Sequence, residues 1–380
     1  MSRSPATSRS GILSWPFALR NAFNLVLRGR FDFAFDRMPL RAEHVPPRKA
    51  WNLLRIAGNR VLGLSPALGY PYMAHISPSG LCDLRCPLCP ANDKKTRGRS
   101  LLPFKTYRKF IDETGDYLLY VILWSWGEPL LNPDFVRMCD YARERNILTV
   151  TSSNLNRLTK ARAEDLVRSG PDALIIALDG LTDRTHGRLR PGGSARRVIA
   201  NTRLLVEARA RTGSRRPFLN LRMVVSRENE AQTGAFRRLA RELGVDMVSF
   251  KAFSTRQPGY ADPAHDKAFA PTDERFRWYE YGRGYVADAR RGRYACRFPW
   301  TKPTLFADGR VLVCEFDLLY ERPLGDINRQ SFKDIWFGPE ARAVRRRFGR
   351  DRAGLRFCRD CVYDYKRFPG CVVDWEILSR

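Results

Sequence analysis

At 380 residues, with 44% apolar and 12% aromatic side chains, the chain has room for one large globular domain and one small one, and is too well cored to be a disordered segment. Its formal charge of +27 comes with 56 arginines against 11 lysines. That excess reads either as a solvated arginine-rich surface or as attraction to an acidic partner: a phosphorylated metabolite, an anionic membrane face or nucleic acid. No run reaches the ~18 apolar residues of a membrane span, and Pro5, Pro16 and Arg20 interrupt the stretch where a signal peptide needs a continuous apolar core. A cytoplasmic protein is expected, with a peripheral place at the membrane surface left open.

Residues 1–70 form a basic preamble with 11 Lys and Arg against 3 Asp and Glu. Within it, Ile12–Leu27 and Trp51–Leu64 carry apolar residues and arginines at amphipathic spacing, so a helical N-terminal extension is expected. These helices either pack on their own protein or dock on an anionic membrane, with Trp15, Phe17 and Trp51 entering the interface. From residue 71 the pattern alternates. Strands are expected at Tyr72–Ser77, Tyr117–Ser125, Leu148–Ser153, Ala173–Asp179, Phe218–Val225 and Met247–Ala252. Helices are expected between them at Phe104–Glu113, Pro133–Arg145, Lys160–Ser169, Ala195–Arg211 and Glu228–Leu243. Helical crossovers make neighbouring strands parallel. The fold class is therefore α/β: a partial, open (β/α)6 TIM-like barrel over residues 71–252, with its chemistry at the C-terminal ends of the strands. Residues 253–295 read as an irregular bridging segment. Residues 296–380 read as a small C-terminal domain, a β-hairpin plus helix. There Thr304–Phe306 and Val311–Cys314 flank an Asp308-Gly309 turn, and a helix over Ser331–Phe348 precedes a cysteine-rich tail.

Nine cysteines fall at 82, 86, 89, 139, 296, 314, 358, 361 and 371. The close triplet and the odd total point to metal ligation in a reducing compartment rather than to disulfides. Cys82-Asp83-Leu84-Arg85-Cys86-Pro87-Leu88-Cys89 follows the first barrel strand. Three thiolates on one short loop can hold three irons of a [4Fe–4S] cubane and leave the fourth iron open. Zinc normally takes four protein ligands, and no Cys or His lies nearby downstream; His75 precedes the loop.

The triplet in this position resembles the defining motif of the radical S-adenosylmethionine (SAM) superfamily. Trp126-Gly127-Glu128-Pro129 resembles that family's GGEP motif, with Trp126 in place of the first glycine. The resemblance implies that this segment cradles the amino group of SAM, Gly127 allowing close approach and Glu128 offering an acceptor. Ser152-Ser153-Asn154 stands where the family places ribose-contacting polar residues. Ala177-Leu178-Asp179-Gly180 is similar to the family's SxDG, with Ala177 replacing the serine. Arg190 matches the arginine that pairs with the methionine carboxylate. Taken singly, each minor motif is as readily structural; their order and their placement at strand ends argue for the set.

In the C-terminal part, Cys296, Gly309 and Cys314 followed by Cys358-Arg359-Asp360-Cys361 resemble the auxiliary-cluster domains called SPASM and twitch. The resemblance implies one auxiliary [4Fe–4S] cluster on Cys296, Cys314, Cys358 and Cys361, with zinc the alternative occupant. Arg367 stands where a second auxiliary cluster would need its next cysteine. Cys371 and Cys139 are expected in the core, and His44, His75, His186 and His265 show no paired metal spacing.

Together these resemblances imply reductive cleavage of SAM, giving a 5′-deoxyadenosyl radical that takes hydrogen from a small-molecule substrate: a sugar, a phosphorylated metabolite or a lipid. A flavodoxin or ferredoxin would supply the electron. The auxiliary cluster would accept an electron from the substrate, hold it, or brace the fold. One alternative is a maturase of ribosomally made peptides, against which residues 1–70 show little of the strand pattern that a peptide-binding winged helix needs. Another is a non-catalytic Fe–S or zinc module binding a polyanion, against which stands the open three-cysteine loop. Nucleic acid is a poor fit, because no RNA-binding motif accompanies the charge. No general base or other catalytic side chain is nominated.

Overall fold

The computed structural model describes residues 15–62, 66–87, 89, 100–254, 263–277, 296–359, 361 and 371–378. The N-terminal part runs α1 (Trp15–Arg28), β1 (Phe31–Phe35), β2 (Met38–Ala42) and α2 (Pro47–Leu62). The expected helical extension is corrected: between its two helices lies an antiparallel β-hairpin. Phe31, Phe33 and Phe35 alternate with Asp32 and Ala34, the period of two that a ribbon requires. Asp36 and Arg37 close it with φ of 47° and 71°, the left-handed pair of a two-residue turn whose twist matches the strands. α2 packs on its own protein. The Lys49 ammonium donates to the carbonyls of Arg145 and Asn146, each at 2.9 Å, a cation at the carbonyl end of a barrel helix. Phe23, Leu27, Trp51, Leu54 and Leu62 remain exposed.

The barrel is built from β3 (Met73–Ile76), α3 (Phe104–Thr114), β4 (Tyr120–Leu123), α4 (Phe135–Arg143), β5 (Leu148–Ser153), α5 (Lys160–Ser169), β6 (Ala173–Ala177), α6 (Asp183–Leu189), α7 (Ala195–Thr212), β7 (Phe218–Val225), α8 (Thr233–Leu243) and β8 (Met247–Ala252). Its six strands lie side by side in chain order, all parallel. β6 is buried along its whole length, which explains its uninterrupted apolar sequence: helices cover one face and the barrel interior the other.

The hairpin stops this barrel from beneath. Met38 and Leu40 pack with Val150, Ala173, Ile175 and Met247. Phe33 stacks on Tyr120 with ring centroids 4.6 Å apart, and Phe35 meets Trp124 edge-on at 5.5 Å. Tyr120, Ala173 and Met247 are the first residues of their strands, so the hairpin covers the N-terminal end of the barrel.

The C-terminal part comprises α9 (Pro263–Phe269), α10 (Phe298–Thr301), β9 (Thr304–Leu305), β10 (Arg310–Leu312), β11 (Pro323–Asp326), α11 (Phe332–Phe337), α12 (Pro339–Arg350), α13 (Arg356–Arg359) and β12 (Val372–Ile377). Gly309 turns the expected hairpin with φ +93°. The simpler picture of a hairpin plus one helix is corrected in three ways. β11 adds a third strand. The Ser331–Phe348 helix is two helices broken at Gly338, with Pro339 opening the second as its first residue. The strands do not form a sheet of their own: β9 pairs with β3 and β12 with β8, so a single ten-stranded sheet carries both parts. The bridging segment holds α9 and a short turn at Glu274–Phe276 among its described residues. No helix among the described residues is long and apolar enough to cross a membrane.

Candidate functional site

The loop after β3 carries Cys82, Cys86 and Cys89, and its shape is set by neighbours from three strand ends. Both oxygens of Asp83 are held, one by the Asn154 side-chain amide at 2.9 Å and one by that of Asn156 at 3.0 Å. The Arg85 amide donates to the Pro191 carbonyl at 3.0 Å. At Gly127 a Cβ would collide with the carbonyls of Ser79 and Leu81. The glycine therefore lets the segment after β4 lie directly against the cysteine loop, where the Glu128 amide donates to Leu81 at 2.7 Å. The Cys89 thiol reaches the Trp126 carbonyl at 3.6 Å. Burial pushes the Cys82 thiol up to about 12 and raises that of Cys86. These groups stay protonated until a metal displaces their protons.

Glu128 has its partners inside the protein. One carboxylate oxygen accepts from Ser153 Oγ at 2.7 Å and the Leu130 amide at 3.1 Å, the other from the Asn154 amide at 2.9 Å. Burial nevertheless pushes its carboxyl up to about 7. Pro129 opens the short turn that Glu128 caps. Gly127, Glu128, Pro129, Ser153 and Asn154 are thus brought together behind the cysteine loop, which they brace.

A cavity of about 490 Å³ fills the barrel, and Cys86, Cys89, Trp126, Ser152, Asp179 and Arg190 line its upper part. Asp179 accepts from the Val224 amide at 2.7 Å and from Arg190 Nε at 2.6 Å. Arg190 follows α6, and although burial opposes its charge, Asp179 holds it protonated. His186 is fully buried and accepts the Asp179 amide at 3.1 Å. Burial lowers its pKa to about 4, so it serves as a neutral structural acceptor. His44 is exposed, and the His265 side chain lies outside the described residues.

Cys296, Cys314, Cys358 and Cys361 line a second, smaller cavity together with Phe298, Val313, Phe348, Phe357 and Arg352. Burial pushes Cys296 up to about 11 and raises Cys314 and Cys358. Four thiolates around one zinc ion at ~2.3 Å would stand within about 4 Å of one another. Among the described residues no three His, Cys, Asp or Glu side chains close on a single ion in that way. An apolar cradle edged by four thiols suits a larger iron–sulfur core. Between the two cysteine sites lies a buried network. Lys302 bonds both oxygens of Glu315, at 2.8 and 2.9 Å, and His75 Nδ1 stands 3.6 Å from one of them. Burial alone would raise the Glu315 carboxyl, but Lys302 and His75 hold it well below the usual carboxylate range.

Cys139 is fully buried in the core, as expected. Cys371 is buried too, but on the wall of the barrel cavity, 4.0 Å from both carboxylate oxygens of Asp36. Arg367 lies outside the described residues. Sequence reasoning passed over Asp36, Arg222, Lys251, Lys302 and Glu315. For Arg222 a signal existed: Asn220 and Arg222 alternate with apolar residues in β7, placing polar groups at inward positions.

The family model for the radical SAM superfamily matches residues 76–240, which take in the cysteine triplet and the three strand-end motifs. A model described as an iron–sulfur cluster-binding domain, SPASM, matches residues 296–362 and takes in all four cysteines of the second cavity. The chain belongs to the radical SAM superfamily. Its cofactors are accordingly a [4Fe–4S] cluster and SAM, with auxiliary iron–sulfur in the C-terminal part. This radical SAM chain is 26% identical over 321 residues to a PqqA peptide cyclase of Streptomyces rochei, covering 80% of the chain and 85% of that relative. It is 30% identical to a PqqA peptide cyclase of Gluconobacter oxydans over 171 residues, 44% of the chain; that match spans 45% of the relative's length. Among solved structures, Streptococcus suis SuiB bound to precursor peptide SuiA superimposes with a TM-score of 0.56 at 19% identity, over 82% of this chain and 74% of that one. At that identity the likeness concerns the fold.

Proposed function

We propose that this radical SAM enzyme modifies a peptide, with its core over residues 71–252 and an auxiliary domain over 296–380. The observation that carries the reading is the match to a PqqA peptide cyclase along most of both chains. It favours a peptide over the sugar, phosphorylated or lipid substrate expected from charge. Strand pattern is present in the N-terminal part in β1 and β2, although there it closes the barrel.

In this reading Cys82, Cys86 and Cys89 hold the SAM-binding cluster, while Cys296, Cys314, Cys358 and Cys361 hold one auxiliary cluster. When bound, the first cluster and SAM supply one-electron cleavage of the sulfonium and removal of a hydrogen atom from carbon. The protein's own part is positioning and exclusion. Asn154, Asn156 and Gly127 fix the cysteine loop; Arg190, charged and facing the cavity beside Cys86, offers its remaining N–H groups to a carboxylate. Phe35, Tyr120 and Trp124 wall the cavity with apolar surface that keeps water from reactive species. At about 490 Å³ the cavity suits a small ligand and a short stretch of substrate, not a folded domain.

The test is anaerobic reconstitution with iron and sulfide, then incubation with SAM, a strong reductant and, separately, a defined peptide library, sugar phosphates or phospholipid vesicles. 5′-Deoxyadenosine formation and substrate mass are followed, with the Cys82→Ala/Cys86→Ala/Cys89→Ala variant as control. A covalent mass change in peptides, absent from the control, supports the reading. Unmodified peptides beside a sugar or lipid that is converted would overturn it.

A further inference from the structure

Below the level of Asp179 and Arg190, the barrel cavity ends on a charged floor. Arg222 points inward from β7, and its guanidinium is fixed on two sides. Nε donates to Ser249 Oγ at 3.0 Å, and Nη1 donates to Asp36 Oδ2 at 2.7 Å. Ser249 in turn donates to Asn220 at 2.8 Å. Arg222 is only 7% exposed, and its Nη2 is buried with no hydrogen-bond partner. Such a donor is unfavourable unless water or a ligand satisfies it. Lys251, on the adjacent strand β8, lines the same cavity and makes no ion pair among the described residues.

Asp36 pairs with Arg222, and Lys251 adds a second cation to the same cavity, whose wall includes Phe35, Ile122 and Ile175. In so apolar a wall a monoanion is matched, whereas a dianion brings a second charge with no partner. The planar guanidinium edge is shaped for a carboxylate. We infer that Arg222 Nη2 and Lys251 form a receptor for a carboxylate carried by the substrate. The inference rests on the peptide reading above, in which the group is an acidic side chain or a chain terminus. Arg222 lies two residues before Val224, whose amide bonds Asp179. The receptor thus sits ~7 Å below the Asp179 level at the rise of a strand. Held there, the substrate presents a neighbouring carbon to the space beside Cys86.

The test uses reconstituted protein and isothermal titration calorimetry with three probes: the monocarboxylate butyrate, its neutral amide butyramide, and inorganic phosphate. Lys251→Met is the main variant, because it leaves the Arg222–Asp36 pair and hence the hairpin in place; Arg222→Gln is the second. Butyrate is expected to bind the wild type, butyramide is not, and each variant should weaken butyrate at least tenfold, with the thermal midpoint of Lys251→Met unchanged. Butyrate held equally by wild type and Lys251→Met would mean adventitious attraction to a basic surface and overturn the receptor. A preference for phosphate would overturn the carboxylate assignment. Butyrate binding needs no turnover, so a protein that binds it as expected yet leaves every peptide unmodified keeps the receptor and loses the peptide reading.

Discussion

The indole Nε1–H of Trp126 donates to the backbone carbonyl of Glu315 at 3.0 Å. On its other side, the carbonyl of Trp126 receives the Cys89 thiol at 3.6 Å. One residue therefore touches the cysteine loop of the barrel and the residue after Cys314. A glycine, which the resembling motif has at this place, could not make the second contact.

Replacing Trp126 separates the two contributions. Trp126→Phe keeps a ring against Phe316, whose centroid lies 5.9 Å away, but loses the donor, and should cost about 1 kcal/mol. Trp126→Ala loses the packing as well and should cost about 3 kcal/mol. Urea unfolding of the cluster-free protein measures both, and faster hydrogen exchange at Phe316 should accompany the larger loss.

Iron content distinguishes ligands from bystanders. Two [4Fe–4S] clusters correspond to ~8 irons per chain. Cys296→Ala/Cys314→Ala should retain about half of that iron, whereas Cys371→Ser should retain all of it, because Cys371 stands in the barrel wall rather than in the four-cysteine cavity. Loss of half the iron on changing Cys371 would make it a ligand.

Gly127→Ala should behave like loss of the triplet. Its Cβ would strike two backbone carbonyls of the segment leading into the cysteine loop, and backbone yields less readily than a side chain. The expected result is ~4 irons per chain, all in the auxiliary site, with wild-type secondary structure by circular dichroism.

Two buried groups should tilt the pH dependence of stability in opposite directions. Glu128 is raised from 4.5 to about 7 by burial. Its contribution is present below 4.5 and lost as pH rises through 7. His186 is lowered from 6.5 to about 4, also by burial. Its contribution is present above 6.5 and lost as pH falls through 4. Each shift corresponds to roughly 3 kcal/mol. Relative to wild type, cluster-free Glu128→Gln should gain stability as pH rises from 4.5 to 7, and His186→Gln should lose it as pH rises from 4 to 6.5. Urea midpoints across that range give the two slopes, and slopes of the same sign would contradict the burial argument.

The hairpin latch can be weighed by a double-mutant cycle. Asp36→Asn keeps a residue type that tolerates the positive φ of the turn but leaves Arg222 without its counter-charge, at a cost on the order of 3 kcal/mol. Asp36→Asn/Arg222→Met should recover much of that loss, since the buried guanidinium is then gone together with its counter-charge.

What the sequence made legible follows the range of the forces involved. β5, β7, β8 and α5 lie where periodicity placed them, because each is set by a local apolar pattern. The Asp308-Gly309 turn was legible because glycine accepts its φ. The hairpin was not, although Phe31, Phe33 and Phe35 alternate cleanly. Its turn uses Asp36-Arg37, and an arginine at φ 71° is an uncommon choice that tertiary packing must sustain. β12 joins β8 from more than a hundred residues away, a pairing no local pattern announces. In the site, the cysteines stood out by spacing alone. The bracing of Glu128 and the spare N–H of Arg222 depend on which face of a strand each residue occupies and on what crosses from the hairpin.

In the peptide reading, the stopper beneath the barrel bears on how a long substrate is handled. A tube open at both ends lets a chain be drawn through and worked on at successive points, as thread passes a needle's eye. With β1 and β2 seated in one end, the blind pocket admits a bend or a tip, and that same portion must back out before another can take its place.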